Sequence, residues 1–535
     1  MNIRQKNWSI VDTQTYDAVI IGAGINGASI FRRMSMDGYR VLLVDKGDFS
    51  CGSSQASAMM IWGGLLYLRN LDFASVSAFS RDRDSLIASF EDRTRRQPFR
   101  YIVNAEKGRS KHLIRFALYV YWLLGQCRRA KPKFQTQYNE QNIIKSSTEN
   151  GSFVYEEGYL KQSDSRFVLD WILAHQTETS LALNYCTLEA GGYNRKDNRW
   201  TLELTDSRTC HQYRIKTRSI INCAGVWTDQ VNAQFRITSP YRHVFSKGVF
   251  VGYERPHVHN MPLVFEMGEQ GDTLTFIPWG PVSLWGPTET MVHSVDEGFR
   301  ITHDDVQFLQ THAERHLHPS IARSPIISLR CGVRPLVVKK NFQASCYPLD
   351  LSRRHKVVEN KDVPWLSVYG GKISGCLSLA KEVTERIASR MAADPSRCQQ
   401  PESRRKEISL GEFPGMPEKV VSPDWCIEHE FCCTLEDYLR RRTTIAQWIP
   451  REGLGWNNEN VEYLKAIASR PPAQSPLARR ACVNEYLQKV QNGFDRLVPL
   501  VAKGESDADT AKGPSRDPWR RESSNTGSWP GKQVA

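Results

Sequence analysis

A glycine-rich turn between two short hydrophobic runs constrains the fold of this chain more than any other feature. The runs are residues 17–21 and 40–45, and a stretch of helical composition precedes the second one. The turn has the spacing G-x-G-x-x-G and consists of Gly22, Ala23, Gly24, Ile25, Asn26 and Gly27. Glycines at this spacing permit a tight turn and close approach of the backbone to a pyrophosphate, which the N-terminus of the following helix attracts.

An acidic residue ends the second run and completes the pattern. Asp45 lies 23 residues after Gly22, and a carboxylate at this position accepts hydrogen bonds from ribose hydroxyls. Lys46 follows it directly. Because strand, glycine turn, helix, strand and acid occur in this order, the sequence predicts a dinucleotide-binding unit in a doubly wound, mainly parallel sheet.

Later β-rich runs indicate that this nucleotide fold is interrupted and then completed. Residues 219–225 read as a strand that enters a glycine turn, and residues 365–371 as a strand that leads into a helix. Between them, residues 273–279 and 282–286 are expected to pair antiparallel across a Gly-Pro turn. The predicted fold is therefore α/β, with a Rossmann-like domain, an inserted antiparallel β-sheet domain and a C-terminal helical cap.

Shifts in composition give the expected boundaries. A first region at 15–393 comprises nucleotide-binding segments at about 15–80, 150–235 and 345–393, a β-rich substrate domain mainly at 236–344, and a basic segment at 93–133. It is followed by a linker rich in Pro, Ser, Glu and Arg at 394–424, a helical domain at 425–502 and a polar tail at 503–535. The tail has almost no aliphatic residues, so we expect it to be disordered.

The positive charge of the chain is concentrated in the basic segment. Lysine and arginine total 71 and aspartate and glutamate 58, a formal net charge of +13, and residues 93–133 hold twelve basic residues and one glutamate. An apolar, aromatic stretch at 112–125 lies between the cations, which favours a position on an anionic membrane surface. A core helix with solvated basic flanks is the alternative. We expect no nucleic-acid partner, because no recognition motif accompanies the basic residues.

Apolar runs and cysteines exclude other classes of protein. The longest uncharged apolar run, at 116–125, is about half of the roughly 20 residues that cross a membrane, and the N-terminus lacks the apolar core of a signal peptide. The 13 cysteines are scattered without a C-x-x-C pair, so we expect reduced thiols and no metal site. These features favour a cytoplasmic protein, either free or peripheral on the inner face of the membrane.

Several further motifs, taken in their order, resemble one family. They are Ser53-Ser54-Gln-Ala-Ser57, 61–68, 222–227, 277–279, 286–289, 332–335, 366–372 and 434–443. Over roughly residues 15–450 the chain resembles the FAD-dependent glycerol-3-phosphate dehydrogenases, within the wider amino-acid-oxidase-like flavoproteins. The resemblance implies FAD as the one dinucleotide, bound by Gly22, Ala23, Gly24, Ile25, Asn26, Gly27, Asp45, Lys46, Ser53, Ser54, Ser57, Ala224, Gly225, Trp227, Gly332, Gly371, Lys372 and Ile373.

The resemblance also implies three residues at the substrate. Arg334 and Lys372 would orient the substrate and assist removal of its hydroxyl proton as a hydride passes to flavin N5, with Tyr67 beside them. From the residues alone, other interpretations stay open: a buried ion pair for Arg334, a solvated lysine at a helix start for Lys372 and a packed aromatic ring for Tyr67.

The sequence departs from this family at the substrate end. Met59, Trp62 and Leu66 stand where the family usually has lysine, histidine and arginine, and residues 374–376 replace two threonines and a tyrosine. A phosphate needs several donors and compensating positive charge. The reaction class is therefore predicted more firmly than glycerol 3-phosphate itself.

The leading prediction is an FAD-dependent enzyme that oxidises a secondary alcohol, glycerol 3-phosphate or a related polyol, with a quinone or oxygen as the electron acceptor. A flavin-dependent amine or amino-acid oxidase, in which Arg334 binds a substrate carboxylate, is the alternative. A flavin-binding scaffold without turnover is the third reading. A homodimer is compatible with the sequence, and the basic segment at 93–133 fits docking on a membrane that carries a quinone.

Overall fold

Two β-sheets and the helices packed on them form the part of the protein that the computed structural model describes. The described residues are 1–498 without 105–108, 138, 146–148, 268–272, 343–350, 352–353, 392, 395, 397–407 and 471–475. They belong to one compact unit, Met1–Pro499. The predicted tail at 503–535 and part of the predicted linker lie outside the described residues.

The strands are numbered in chain order. They are β1 Thr15–Ile21, β2 Val41–Val44, β3 Met60–Ile61, β4 Thr94–Asn104, β5 Lys133–Gln135, β6 Glu149–Leu160, β7 Leu181–Leu183, β8 Cys186–Asn194, β9 Arg199–Asp206, β10 Gln212–Asn222, β11 Tyr241–Glu254, β12 Leu263–Glu266, β13 Thr273–Trp279, β14 Val282–Gly286, β15 Thr290–Val292, β16 Ser328–Lys339, β17 Lys356–Glu359, β18 Trp365–Tyr369, β19 Leu410–Gly411 and β20 Val420–Val421.

The α-helices are numbered in the same way. They are α1 Ile3–Ile10, α2 Ile25–Met36, α3 Phe73–Ser89, α4 Lys111–Leu124, α5 Asp164–Ala174, α6 Thr228–Gln234, α7 Val295–Gly298, α8 His303–His316, α9 Pro319–Ala322, α10 Cys376–Ala388, α11 Pro423–His429, α12 Ile445–Trp448, α13 Val461–Ala468 and α14 Pro476–Val490.

The first sheet is the predicted nucleotide-binding sheet. Its order is β17-β18-β10-β1-β2-β7, and the pairs from β18 to β7 are all parallel. Strand β17 pairs antiparallel with β18 at one edge, and β9 pairs antiparallel with the first part of β10, off the main strand order. Helix α2 packs against β1 and β2 and against α5 and α10. The central strands are apolar and buried because helices cover a parallel sheet of this kind.

Two glycines of the turn after β1 are required by close packing. Gly22 has a φ of +97°, and a Cβ on it would lie 2.6 Å from the carbonyl oxygen of Cys223. A Cβ on Gly27 would lie 1.9 Å from the carbonyl oxygen of Gly22, because α2 passes directly over the turn. The chain therefore enters α2 through a conformation that other residues cannot adopt at these two positions.

The second sheet confirms the predicted antiparallel architecture. Its order is β15-β11-β14-β13-β12-β4-β6-β3, with β16 beside β11 and β5 beside β6. Every pair is antiparallel except β12 with β4. Strands β13 and β14 are the hairpin predicted at 273–286. The longest pairing, β11 with β16, runs from Tyr241 opposite Lys339 to Gly252 opposite Ser328.

The second sheet also takes strands from the first third of the chain. Strands β3 to β6 belong to it, although the β-rich domain was expected mainly at 236–344. In β4, Phe99 and Ile102 are buried while Arg95 and Arg96 are exposed. The basic residues of this strand obscured its pattern in the sequence. The expected domain boundaries therefore do not follow the sheets.

The basic segment at 93–133 is not one surface element. Its first part is the sheet strand β4, and its apolar stretch is α4. One side of α4 is packed, with buried Ile114, Leu118 and Tyr121, and the other side exposes Leu113, Phe116 and Leu123 by 51%, 66% and 59%. Among the described helices, none is long and apolar enough to cross a membrane.

The C-terminal part of the described chain is helical, and it contains a π-helix at Asp437–Arg442. The helix-capping arrangement predicted for Thr434 and Asp437 is present at the start of this helix. The hydroxyl of Thr434 accepts a hydrogen bond from the backbone N–H of Asp437 at 3.1 Å, and the carboxylate of Asp437 accepts one from that of Thr434 at 3.0 Å. Within the stretch predicted as a linker, β19 and β20 form a short antiparallel pair.

Candidate active site

A cleft opens at the carboxyl ends of β1, β2 and β10. Its walls are the turn after β1, the loop at 45–54, the start of β8 and the turn before α6. Ligands of open α/β sheets bind outside the carboxyl ends of such strands. Helix α2 begins at this cleft with Gly24, which has no side chain to cap its N-terminus. The backbone N–H of Ile25 donates to the hydroxyl of Ser54 at 3.0 Å, and the positive end of the helix dipole suits an anionic ligand.

Most of the predicted cofactor residues line this cleft. They are Gly22, Gly24, Ile25, Asn26, Asp45, Lys46, Ser53, Ser54, Ala224, Gly225, Trp227 and Gly371. The side chain of Asn26 donates to the carbonyl oxygen of Gly370 at 2.9 Å. This bond joins the glycine turn to the loop after β18, so two distant parts of the chain form one wall.

The other six predicted cofactor residues lie outside the cleft lining: Ala23, Gly27, Ser57, Gly332, Lys372 and Ile373. Gly332 packs closely, since a Cβ on it would lie 2.9 Å from that of Ala56. The Ser57 hydroxyl accepts a hydrogen bond from the Met59 backbone N–H at 3.2 Å. Ile373 packs in a hydrophobic cluster between the sheets and starts a short 3-10 turn.

Asp45 holds the glycine turn in place. Its carboxylate accepts hydrogen bonds from the backbone N–H groups of Ala23 at 2.7 Å and of Gly47 at 2.9 Å. Desolvation by the surrounding protein raises the pKa of Asp45 to about 6, although these two hydrogen bonds act in the opposite direction. The acid is therefore positioned before any ribose is bound.

Lys46 and Trp227 form one edge of the cleft. The ammonium of Lys46 lies 4.0 Å from the centre of the Trp227 ring, and Trp227 stacks on Phe299 with ring centres 5.7 Å apart. A cation over an aromatic face is attracted by the ring quadrupole. The edge is thus built from residues of three separate elements.

Several lining residues were not predicted. They are Ile21, Val44, Cys51, Gly52, Cys186, Thr187, Leu188, Cys223, Val226, Gln230, Val231, Gln234, Pro335 and Gly370. Gln230 and Gln234 had a usable signal, because they lie one helical turn apart directly after a glycine turn. Thr187 and Leu188 had none, since only the pairing of β7 beside β2 brings β8 to the cleft.

Lys372 and Tyr67, two of the predicted catalytic residues, lie together. The ammonium of Lys372 is 3.3 Å from the ring centre of Phe79 and 5.2 Å from that of Tyr67, and the two rings stack 5.3 Å apart. Lys372 precedes the 3-10 turn before α10. A helix start is an unfavourable place for a cation, so the aromatic faces supply part of the stabilisation that the backbone does not.

Arg334 is placed by a different set of contacts. It lies opposite Ser246 in the β11–β16 pair and forms an ion pair with Glu289 at 3.2 Å. The hydroxyl of Ser246 donates to the same carboxylate. A Cβ on Gly248 would lie 2.3 Å from the guanidinium, so glycine provides the space for Arg334. Arg334 thus forms an ion pair while its side chain stays 25% exposed.

Two of the three positions that depart from the family pattern pack in apolar surroundings, and the third is exposed. Met59 is fully buried, Trp62 packs against Phe99 with ring centres 5.6 Å apart, and Leu66 is exposed. A buried methionine in a hydrophobic cluster contributes no charge and no donor to a phosphate.

Comparison with known proteins identifies the class. The model of the FAD dependent oxidoreductase family, DAO, matches residues 17–351, which is more than half of the chain. The protein therefore belongs to the FAD-dependent oxidoreductases.

Within this class, the similarity extends to named enzymes. The chain is 26% identical over 380 residues to the aerobic glycerol-3-phosphate dehydrogenase of Escherichia coli strain K12, covering 70% of this chain and 74% of that one. Its fold matches the FAD-complexed glycerol-3-phosphate dehydrogenase of Bacillus halodurans with a TM-score of 0.66, at 15% identity and 93% and 99% coverage. Glycine oxidase of Geobacillus kaustophilus shares the fold with a TM-score of 0.51, at 16% identity and 73% and 100% coverage.

Proposed function

We propose that this protein binds FAD in the cleft beside β1 and β2 and oxidises a secondary alcohol, glycerol 3-phosphate or a related polyol, with a quinone or oxygen as the final electron acceptor. One observation carries the proposal: the Gly22 turn, the N-terminus of α2 and the prepositioned carboxylate of Asp45 converge on a single cleft. The similarity to a named glycerol-3-phosphate dehydrogenase supports the choice of an alcohol.

The cleft fits a dinucleotide part by part. The turn at 22–27 leads into the N-terminus of α2, whose positive dipole end suits a pyrophosphate. Asp45 accepts hydrogen bonds from ribose hydroxyls. The loop at 370–371, tied to the turn by Asn26, forms part of the same cleft wall.

At the substrate end, bound FAD supplies the hydride acceptor. Lys372 holds the substrate hydroxyl with its Nζ, and its ammonium stabilises the negative charge that is left on the oxygen as the hydroxyl proton passes to solvent. Tyr67 and Phe79 keep the Lys372 side chain in one orientation. Arg334 orients the substrate by its guanidinium, while Glu289 balances its charge.

An amine or amino-acid substrate is the second candidate. The glycine oxidase fold supports it at the level of architecture, since the two chains are only 16% identical. A substrate carboxylate would bind Arg334 in bidentate fashion. Glu289 already forms an ion pair with Arg334, so a substrate carboxylate, like a substrate phosphate, would share the guanidinium with it.

Anaerobic reduction of the purified flavoprotein distinguishes the substrates. Bleaching of the flavin by glycerol 3-phosphate supports the main proposal, and bleaching by glycerol alone removes phosphate recognition from it. Bleaching by glycine or another amine and by no alcohol would establish the second candidate instead. Arg334→Ala is expected to abolish bleaching and to retain the bound flavin.

We also infer that one surface docks on an anionic membrane and brings the protein to a quinone. Helix α4 contacts the turn Leu65–Asn70 and α3, and Leu66, Leu71 and Phe73, in and next to these elements, are exposed as well. Exposed Arg115, Arg128, Lys131 and Lys133 flank α4. An apolar surface with basic neighbours binds anionic lipid both by burying apolar area in the membrane and by electrostatic attraction to the lipid headgroups.

Not every basic residue of the segment takes part in this proposal. Arg129 is buried and donates to the carbonyl oxygen of Glu156 at 3.1 Å, so it stabilises the fold and does not face lipid. Pelleting with vesicles of phosphatidylglycerol is expected to fall strongly for Phe116→Ser with Leu123→Ser. Tyr463→Ser, at an aromatic residue of α13 that is 51% exposed, serves as the control and is expected to pellet normally. Equal pelleting of both proteins would contradict this docking surface.

A further inference from the structure

A buried carboxylate lies directly behind the loop that lines the cofactor cleft. Asp48 follows Asp45 and Lys46, and Cys51 and Gly52 come after it; these four line the cleft, whereas Asp48 faces the interior. Its side chain is fully buried. A buried ionised carboxylate requires partners that match its charge.

The partners come from the far end of the chain. Arg441 donates to Asp48 through Nε, and Arg442 donates through both terminal nitrogens, one of them at 2.8 Å. Arg441 and Asp48 are 393 residues apart in sequence. The side chain of Asn184 donates to the same carboxylate at 2.9 Å. Burial alone would raise the pKa of Asp48, but the two guanidiniums hold it below its ordinary value.

Two consecutive arginines at the end of the π-helix serve one carboxylate. Side chains of neighbouring residues on an α-helix diverge by about 100°. The wider turn at Asp437–Arg442 changes this spacing, and both guanidiniums reach Asp48. The carboxylate of Asp437 accepts a hydrogen bond from Arg441 at 2.6 Å and another from the hydroxyl of Tyr185. Single π-turns inside helices frequently mark functional positions.

Arg441 also reaches the other end of the loop. Its Nη1 donates to the side-chain oxygen of Gln55 at 3.1 Å, and the side chain of Gln55 donates to the backbone carbonyl of Cys51. One guanidinium therefore holds the loop at Asp48 and at Gln55, on either side of Cys51, Gly52, Ser53 and Ser54.

We propose that Arg441 and Arg442 are positioning residues for FAD: through Asp48 and Gln55 they hold the loop at 45–55 in the conformation that binds the cofactor. This inference rests on the proposed position of FAD in the cleft. It makes the C-terminal helical part of the chain a requirement for tight cofactor binding, although it contributes no residue to the cleft lining within the described part of the chain.

The affinity of the full-length apoprotein for FAD tests the proposal, measured by quenching of flavin fluorescence. Arg441→Lys keeps the positive charge but cannot donate to Asp48 and Gln55 at the same time. The Kd for FAD is therefore expected to rise about tenfold or more, which corresponds to the loss of one hydrogen bond to a charged group. The matched control is Arg451→Lys. Arg451 is also buried in the C-terminal part and forms a two-nitrogen ion pair at 2.7 Å, but with Asp495, away from the loop.

A second readout separates positioning of the loop from a general loss of stability. Alkylation of the Cys51 thiol in the apoprotein, followed by mass spectrometry of its peptide, reports opening of the loop. Arg441→Lys is expected to speed this alkylation, and Arg451→Lys is expected to leave it unchanged even where the two variants melt at similarly lowered temperatures.

Gln55→Ala keeps the proposal testable if Arg441→Lys does not fold, because it removes the second contact and leaves the buried ion pairs intact. A Kd and a Cys51 alkylation rate equal to wild type in a folded Arg441→Lys or Gln55→Ala protein would overturn the proposal. Asp45→Asn checks the cofactor site separately: FAD binding that this variant does not weaken would overturn the position of FAD in the cleft, whatever Arg441 does.

Discussion

The carboxylate of Asp45 accepts a hydrogen bond from the backbone N–H of Ala23 at 2.7 Å, which joins the end of β2 to the glycine turn after β1. The acid that would bind the ribose and the turn that would bind the pyrophosphate are therefore one unit. A change in the charge of Asp45 acts on both parts of the cofactor site.

The raised pKa of Asp45, about 6, predicts pH-dependent FAD binding. Burial disfavours the ionised form of Asp45 in the folded apoprotein. The free energy of unfolding of the apoprotein therefore falls as pH rises from about 4 to about 6 and does not change further above that, as far as Asp45 is concerned. Ribose hydroxyls that donate to the carboxylate favour the ionised form. Affinity for FAD is thus expected to fall by up to about tenfold per pH unit below pH 6 and to be constant above it.

Titration of the apoprotein with FAD between pH 5 and 8 measures this dependence. Asp45→Asn should remove it, and Asp12→Asn, a change at an exposed acid near the same sheet, should keep it. A wild-type Kd that is the same at pH 5 and pH 7 would contradict the role given to Asp45.

Gly22→Ala is expected to destabilise the fold by about 2 kcal/mol or more and to prevent FAD binding, because the new Cβ meets backbone atoms at a positive φ. Gly192→Ala is the matched control, since a Cβ there has no neighbour within 4 Å. It should change the free energy of unfolding by less than about 1 kcal/mol. Thermal melting with and without FAD gives both quantities, and equal melting of the two variants would show that the turn is not under this constraint.

Lys372→Met tests the group assigned to the substrate hydroxyl. It keeps the length and apolar stem of the side chain against Phe79 and removes the ammonium, so kcat is expected to fall about 100-fold or more while FAD stays bound. Lys381→Met changes an exposed lysine of the following helix and should have the wild-type kcat. Full activity in Lys372→Met would exclude Lys372 from the chemistry.

Glu289→Gln tests the charge balance around Arg334. Removing the carboxylate makes the surroundings of the guanidinium more positive, so KM for an anionic substrate is expected to fall about fivefold, the equivalent of roughly 1 kcal/mol. KM for an uncharged polyol should stay constant. Glu254→Gln, at the exposed end of β11, is the control. A KM for glycerol 3-phosphate that does not respond would place Arg334 away from the substrate anion.

Local features of the sequence predicted the cofactor half of the fold well. Strand, glycine turn, helix, strand and acid are all contained in residues 17–45, and each leaves its own pattern of apolar, glycine or acidic residues. Two-sided burial of β1 and β2 follows from their continuous apolar composition. The sequence therefore predicted Gly22, Gly24 and Asp45 at the cleft.

Features that depend on distant pairing were not predictable in the same way. Strand β4 is a basic strand whose place in the second sheet is decided by its partners β6 and β12. The contact between Asp48 and Arg441 joins residues 393 positions apart, and no local pattern marks it. Arg334 was predicted at the substrate, but its pairing with Glu289 required the fold of the loop after β14.

The most direct test of the central claim is anaerobic flavin reduction by glycerol 3-phosphate that carries deuterium on the carbon bearing the secondary hydroxyl. The unlabelled substrate is expected to bleach the flavin. The deuterated substrate is expected to bleach it several-fold more slowly, because the C–H bond breaks as the hydride leaves. A purified, folded protein that holds FAD and is bleached by neither glycerol 3-phosphate nor any related polyol would contradict the central claim.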